Sequence, residues 1–295
     1  MKYLVMTLIT ILLAGCAGSN KSVNHVSYES FTKILKFTTL SLCTNPDDAD
    51  TCVSLEPAEF MASGTIIGNN NDSSFILSAG HFCEPTMTRD KKISILVANL
   101  GPLPEALVEI LLNSMTVTSK FVVNDIEGKK YSAKLIDYTM DNSDLCMLQT
   151  SRKMNHDYIR IAKDEPIRGE KLTMASAPWG SHYPGTTVIL EGFYTGSFWH
   201  PFFKKDSYGL SDFPIVPGCS GSGVLNSEGE LVSVAYSTNM RFIEDGWGVT
   251  LSEIHKFINK NLIYSENVKH RKKFVTRGFS EWIDTTFHSY FGHLI

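Results

Sequence analysis

Short apolar runs recur along this chain from Ile34 onward, separated by Gly, Asn and Asp. Short apolar runs bounded by turn-forming residues are typical of antiparallel β-strands. The strand candidates lie at 34–43, 64–67, 74–78, 119–123, 132–137, 145–149, 171–175, 186–195, 223–225, 231–237 and 246–250. This number of short strands suits two β-barrels with a cleft between them. We place the boundary between the barrels near 150–161.

Two segments carry apolar residues at helical spacing. The first, 104–115, has Leu107, Ile110 and Leu111 on one face. We expect it to cap the first barrel rather than to cover the cleft. The second segment, 252–262, is expected to close the fold as a helix.

Composition and residue spacing indicate a globular protein and give no reason to expect binding of a nucleic acid, a metal ion or a cofactor. The 295 residues are enough for a two-barrel body, and 43% apolar with 20% charged residues is ordinary for a globular protein. The net charge of −4 gives no reason to expect a nucleic acid as a partner. Neither a Cys-x-x-Cys nor a His-x-x-x-His spacing occurs, so we predict no metal site, and no motif implies a cofactor.

A serine lies between glycines in the segment 217–223 (PGCSGSG), directly before an apolar run. A tight turn of this kind exposes the hydroxyl group of Ser220. It also aims the N–H groups of Gly218 and Ser220 at one point, which is what an oxyanion hole requires. Ser222 is the rival nucleophile, but only Ser220 has a glycine two residues before it and another directly after it.

Two upstream segments supply a candidate base and a candidate carboxylate. His81 follows a β-type apolar run through small residues, and Asp144 stands where a polar turn enters an apolar strand. That position favours Asp144 over Asp137 and Asp141. A serine nucleophile needs a base to take its proton and a carboxylate to hold that base. The order His, Asp, Ser along the chain is that of the chymotrypsin-like proteases, not of subtilisins or α/β-hydrolases.

These segments resemble the bacterial trypsin/chymotrypsin-like serine proteases, in particular the HtrA-like and glutamyl-endopeptidase branches. SAGH at 78–81 is similar to TAAH of that family, and DLCML at 144–148 to DLALL. GCSGSG at 218–223 is similar to GNSGSP of the glutamyl endopeptidases. The resemblance covers roughly 34–262.

The resemblance implies an all-β fold of two antiparallel six-stranded β-barrels, chymotrypsin-like, with a C-terminal helix. The domain would span 28–262, with barrels over about 28–155 and 156–250. The implied activity is hydrolysis of peptide bonds in a protein or peptide substrate by a serine endopeptidase. The implied roles are nucleophile, base and orienting carboxylate for Ser220, His81 and Asp144, in that order.

The resemblance also implies where a substrate side chain binds. Tyr236, Ser237 and Thr238 would form one wall of the primary pocket, and the segment 212–216 the other. Family members that prefer Lys or Arg carry an aspartate where this chain has Pro214. We therefore expect a small or medium apolar side chain in that pocket.

Cysteines near these segments raise further expectations. Cys43 and Cys52 flank a turn-rich acidic loop and could staple a hairpin. Cys83, Cys146 and Cys219 each lie within two residues of a candidate site residue, so we expect all three to be close in space. We interpret two of the three as small buried apolar residues rather than redox groups.

The N-terminus has the pattern of an exported lipoprotein. Lys2, an apolar core at 3–13 and the sequence LAGC ending at Cys16 resemble the signal peptide and lipobox of bacterial lipoproteins. The resemblance implies processing of 1–16, lipid attachment at Cys16 and a tether at 17–27. The protein would then lie in the cell envelope, in the outer membrane or periplasm of a Gram-negative host. The alternative is an ordinary signal peptide that contains a cysteine.

The extension 263–295 begins basic and ends aromatic, and it is too short for a PDZ domain. We expect its aromatic stripe to dock on the domain rather than on a membrane surface. An alternative function is a protease-like lipoprotein that has lost activity and acts as a binding protein or scaffold. Cys219, where the family carries Asp or Asn, keeps that alternative open, since a disulfide there could distort the oxyanion turn. An esterase with the same triad is the third reading.

Overall fold

The computed structural model of this chain describes residues 28–266, except 46–47, 142, 202 and 240–241. The predicted signal peptide, the predicted tether and residues 267–295 of the predicted extension lie outside the described residues.

The first half of the described chain forms a closed antiparallel β-barrel. Its strands are β1 (Phe31–Cys43), β2 (Cys52–Ser54), β3 (Ala58–Asn69), β4 (Ser74–Ser78), β5 (Met115–Asn124), β6 (Lys130–Thr139) and β7 (Leu145–Thr150). The barrel order is β1-β3-β4-β7-β6-β5, and pairing of β1 with β5 closes it. Strand β2 extends the sheet by pairing with the end of β1.

The second half forms another closed antiparallel barrel. Its strands are β8 (Lys171–Ser176), β9 (Val188–His200), β10 (Lys205–Ser211), β11 (Gly223–Leu225), β12 (Leu231–Asn239) and β13 (Phe242–Val249). The order around the barrel is β10-β13-β12-β11-β8-β9. Two six-stranded antiparallel barrels followed by a helix are the chymotrypsin-like fold, so the predicted fold class is confirmed.

In the described part of the chain the barrels are accompanied by the α-helices α1 (Gly80–Cys83), α2 (Arg89–Leu100), α3 (Glu105–Asn113) and α4 (Leu251–Glu266). Helices α3 and α4 confirm the two predicted helices. Helix α2 was not predicted, and within it only Leu96 is buried, so its sequence carries a weak amphipathic pattern. Strands β2 and β10 were also missed.

Strands β4 and β7 are apolar on both faces because they lie between the core of the first barrel and the apolar cluster between the barrels. Along β4, Ile76 points into the core of the first barrel, whereas Phe75 and Leu77 join a cluster between the barrels. Along β7, Leu145 and Met147 join the same inter-barrel cluster. Burying each such side chain stabilises the fold by about 1.5–3 kcal/mol. The continuous apolar runs in the sequence therefore mark strands held between two cores.

Helix α4 packs into the inter-barrel cluster after the last strand. Ile254, Phe257 and Ile258 contribute its buried face. The helix therefore ties the end of the second barrel to residues of the first.

The disulfides differ in part from the expectation. Cys43 and Cys52 are bonded across β1 and β2, which is the pairing that the sequence analysis considered possible. Cys83 and Cys146 lie close together, as expected, and both are buried, but they form a second disulfide instead of acting only as small apolar side chains. Cys219 is a buried free thiol in the core of the second barrel, away from the Cys83–Cys146 bond in the first.

No single helix in the described part of the chain has the length and apolar composition needed to cross a bilayer. Helices α2 and α3 pass such a test only when taken together, and they are bent by 110° relative to each other.

We predict that the Cys83–Cys146 disulfide stabilises the protein more than the Cys43–Cys52 disulfide does. The first closes a loop with a sequence separation of 63 and the second one of 9, and loop closure in the unfolded chain costs more entropy for the longer loop. Replacing Cys83 and Cys146 with Ala should lower the free energy of unfolding in urea by about 2–4 kcal/mol. The Cys43→Ala/Cys52→Ala control should lose less, and an equal or larger loss in the control would contradict the prediction.

Candidate active site

His81 is delivered to the cleft by the end of β4 and the short helix α1. The chain can take this path because Gly80 has no side chain: a Cβ there would lie 2.3 Å from the carbonyl oxygen of Thr139 and 3.0 Å from Oδ1 of Asp144. Close packing of α1 on the turn between β6 and β7 therefore brings the histidine segment to the aspartate segment. The Cys83–Cys146 disulfide crosslinks the same two segments, two residues beyond His81 and Asp144.

His81 and Asp144 are joined by two hydrogen bonds. Oδ2 of Asp144 lies 2.8 Å from Nδ1 of the imidazole, and Oδ1 accepts a hydrogen bond of 2.6 Å from the His81 backbone N–H. The Asp144 side chain is 7% exposed and the His81 side chain 39% exposed. Because Nδ1 is engaged, the other ring nitrogen, Nε2, is the one available for proton transfer in the cleft.

Asp144 is held as a carboxylate despite its burial. Burial alone would raise the pKa of Asp144. The hydrogen bonds and charge of His81, together with the ammonium group of Lys205, outweigh that effect and lower it. The second cation, Lys205, was not singled out from the sequence.

Ser220 lies on the turn that precedes β11, across the cleft from His81. Both residues line one cavity of about 530 Å³ between the barrels. The Ser220 hydroxyl group lies 3.5 Å from the carbonyl oxygen of Tyr236, at the outer limit of a hydrogen bond. Among the described residues, no hydrogen bond joins the Ser220 hydroxyl group to the His81 imidazole. Hydrogen bonds between catalytic groups often form with good geometry only when substrate binds.

The peptide group between Pro217 and Gly218 carries one of the two predicted oxyanion donors, and its orientation is fixed by a hydrogen bond. The Pro217 carbonyl oxygen accepts a hydrogen bond of 2.6 Å from the N–H of Trp179. In a trans peptide the N–H points the opposite way, so the Gly218 N–H faces away from Trp179. Among the described residues, neither the Gly218 N–H nor the Ser220 N–H donates a hydrogen bond to another backbone group.

Only glycine fits at position 218. Its φ of +95° lies in the left-handed region, and a Cβ there would come within 2.3 Å of the carbonyl oxygen of Ala177. Trp179, whose N–H orients this peptide, itself has a positive φ of 52° and an exposed side chain beside the cleft. The sequence analysis did not assign Trp179 to the site.

Ser63 on β3 holds the serine turn onto the first barrel. Its N–H donates a hydrogen bond of 2.9 Å to the Ser220 carbonyl oxygen, and its hydroxyl donates one of 2.8 Å to that of Gly218. The same hydroxyl accepts from the Ala177 N–H at 3.0 Å, and the Ser63 carbonyl accepts from the Ser78 hydroxyl at 2.7 Å. The side chain is fully buried. This serine was also missed, because a small polar residue within a strand carries no motif.

A second cavity, of about 410 Å³, opens beside Ser220 and contains the predicted substrate-binding residues Tyr236, Ser237 and Thr238. Its opposite wall is formed by Ile215, Val216 and Pro217. Pro214, one residue earlier, does not line this cavity.

Three aromatic residues at this cavity, His200, Phe203 and Trp247, were not anticipated. The ring of His200 lies 4.2 Å from that of Trp247 and 4.7 Å from that of Phe203, centroid to centroid. Burial, followed by the charge of Lys205, lowers the pKa of His200. These residues come from β9, β13 and the β9–β10 connection, so only the closure of the second barrel brings them to Ser220.

The other side of the cleft is bordered by the start of α2. Thr88 and Lys91 line the same cavity as His81 and Trp179. The helix predicted at 104–115 corresponds to α3, none of whose residues lines this cavity.

Asp125, Glu127 and His156 place possible ligand atoms within 4.8 Å of one another. The Asp125 carboxylate already accepts hydrogen bonds from the N–H groups of Glu127 and Lys129 and from the Tyr131 hydroxyl. These bonds order the turn between β5 and β6, which is a structural role for the cluster.

Comparisons with known proteins agree with this fold. A family model of the trypsin-like peptidase domain matches residues 62–234. The active form of the Rv3671c protease from M. tuberculosis has a TM-score of 0.53 and 14% sequence identity, over 88% of this chain and 88% of that chain. An inactive serine-to-alanine mutant of Rv3671c from M. tuberculosis H37Rv has a TM-score of 0.50 and 11% identity, over 86% and 94%. No curated protein matches this chain at a significant level.

Proposed function

Because the chain belongs to the trypsin-like peptidase family, we propose that it is a serine endopeptidase that uses Ser220, His81 and Asp144. One observation carries the proposal: an imidazole held by a buried carboxylate faces the same cleft as a serine hydroxyl flanked by two N–H groups without backbone acceptors. The motifs at 78–81, 144–148 and 218–223 support a place near the HtrA-like and glutamyl-endopeptidase branches.

The reaction follows from the roles of these groups. The Ser220 oxygen attacks the carbonyl carbon of a peptide bond while Nε2 of His81 takes the hydroxyl proton. Asp144 holds the ring and stabilises its positive charge. The N–H groups of Gly218 and Ser220 donate to the oxyanion of the tetrahedral intermediate. His81 then protonates the leaving amine, and a water molecule hydrolyses the acyl-enzyme by the same steps.

The alternative of an inactive, protease-like binding protein has less support. It depended on a disulfide at Cys219 that would distort the oxyanion turn. Cys219 is instead a free thiol that faces the core, and burial raises its pKa, so the thiol stays neutral. Every residue type that the reaction needs is present.

We predict that a fluorophosphonate probe labels the purified full chain at Ser220 and at no other serine. Labelling needs an activated hydroxyl, so it should fall at least a hundredfold in His81→Ala and disappear in Ser220→Ala. Peptide mass spectrometry locates the adduct, and Ser222→Ala is the matched control that should label normally. A folded wild-type protein that stays unlabelled would favour the inactive binding protein.

We propose that the primary pocket takes a small or medium apolar side chain. The cavity beside Ser220 is lined by aliphatic and aromatic side chains, and its polar groups include the hydroxyl groups of Ser220, Tyr236, Ser237 and Thr238 and the His200 ring. None of the described residues that line the cavity is a carboxylate, so a Lys or Arg side chain would be buried there without an ionic partner among them.

A library of peptide substrates tests this preference. Cleavage after Val or Leu should exceed cleavage after Lys or Arg by at least about tenfold in kcat/KM, because an unpaired buried charge costs more than about 1.4 kcal/mol. Peptides that differ only at that residue are the matched control. A preference for Lys or Arg would contradict the assignment of the pocket.

We also propose that the enzyme is exported and anchored in the cell envelope by a lipid on Cys16, on the strength of the signal and lipobox sequence alone. The wild-type chain should fractionate with membranes, and its N-terminal peptide should carry the added mass of the lipid. The Cys16→Ser variant should lose that mass and leave the membrane fraction. If Cys16 of the wild-type protein carries no lipid, the N-terminal segment is an ordinary signal peptide that contains a cysteine.

A further inference from the structure

Lys205, at the start of β10, has an unusual position for a lysine. Its side chain is only 4% exposed, and Nζ lies 4.0 Å from Oδ2 of Asp144. Lysine is rarely buried unless its charge is paired. The ammonium group also lies 4.0 Å from the centroid of the Tyr236 ring and 5.5 Å from that of Phe203. A carboxylate and two aromatic faces are surroundings that favour a cation.

The distance to Asp144 separates the role of Lys205 from that of His81. At 4.0 Å the ammonium group is too far away for a hydrogen bond to Oδ2, whose short contact is with Nδ1 of His81 at 2.8 Å. Lys205 therefore does not compete with the imidazole for the carboxylate. It acts on the pair through its charge, in a site where little water screens that charge.

The other titratable groups around this cluster are neutral near pH 7. Burial raises the pKa of Tyr236 to about 12, with Asp144 adding to the rise and a hydrogen bond to Ser207 opposing it. The pKa of His200 is lowered by burial and by Lys205. Burial lowers the pKa of Lys205, and Asp144 opposes that shift. The buried charges are thus one carboxylate and one ammonium, beside an imidazole that gains charge when it accepts a proton.

We propose that Lys205 is a positioning residue of the triad: its buried positive charge keeps Asp144 ionised and makes a second positive charge on His81 less favourable. Because Lys205 and His81 both lie beside Oδ2 of Asp144, the ammonium charge opposes the gain of a proton by the imidazole. This inference rests on the proposed function, and it assigns to one side chain the acid limit of the activity.

The test compares pH profiles of the full chain and three variants. Lys205→Met removes the charge at similar volume, and Lys205→Arg restores a charge. Lys171→Met is the matched control, since it removes a lysine from an exposed pair with Glu191 in the same barrel. The readout is kcat/KM for one peptide substrate between about pH 4.5 and 9.

In Lys205→Met we expect the acid limb of the profile to move to higher pH by about one unit, since a nearby unit charge at an effective dielectric constant of about 20 has an effect of at least this size. Lys205→Arg should return most of that shift, and Lys171→Met should leave the limb in place. A Lys205→Met enzyme whose rate falls equally at every pH, with an unmoved limb, would assign Lys205 to packing and overturn the inference.

A second readout does not depend on turnover. The imidazole of His81 can be titrated by NMR in the same proteins, and its protonation should move to higher pH in Lys205→Met. If that variant does not fold, Lys205→Gln takes its place. A wild-type protein that is unreactive towards the fluorophosphonate would count against the proposed function, while the NMR titration would still decide the role of Lys205.

Discussion

The candidate site depends on one constraint: the turn of the second barrel that carries Ser220 must stay fixed against strand β3 of the first barrel. The N–H and hydroxyl of Ser63 donate to the carbonyl oxygens of Ser220 and Gly218 across the inter-barrel boundary. These donors lie in a fully buried residue, so water does not compete for the acceptors. The relative position of the barrels therefore sets how His81 and Ser220, which line one cavity, lie with respect to each other.

Apolar packing and a disulfide also hold the segments that carry His81 and Asp144 in place. The inter-barrel cluster holds β4 and β7 against the second barrel and helix α4. The disulfide that follows His81 and Asp144 by two residues fixes their segments to each other. The candidate base and its carboxylate are therefore one preorganised unit of the first barrel. The second barrel contributes the candidate nucleophile, its neighbouring N–H groups and the cavity beside it.

The ionisation of Asp144 depends on the charged groups around it. Asp144 is ionised in a buried site because His81 and Lys205 together outweigh the cost of burial. Aromatic rings around Lys205 keep water away while tolerating its charge. The same group of rings continues to the cavity beside Ser220 through Phe203 and Tyr236. The same side chains therefore surround the charged His81–Asp144 pair and shape the cavity beside Ser220.

The sequence alone determined the fold class, most strands and the three residues proposed to act. Strands β4 and β11 have the predicted bounds, because their short apolar or glycine-bounded runs are local signals. Strand β10 was missed because it carries two buried polar residues, Lys205 and Ser207. Their partners, Asp144 and Tyr236, lie far from them in the chain. Only the tertiary structure decided that Cys219 faces a core, that Ser63 holds the serine turn and that Lys205 lies beside Asp144. Those contacts join residues that are far apart in the chain, so no local sequence pattern predicts them. They form only when the two barrels have closed and packed together.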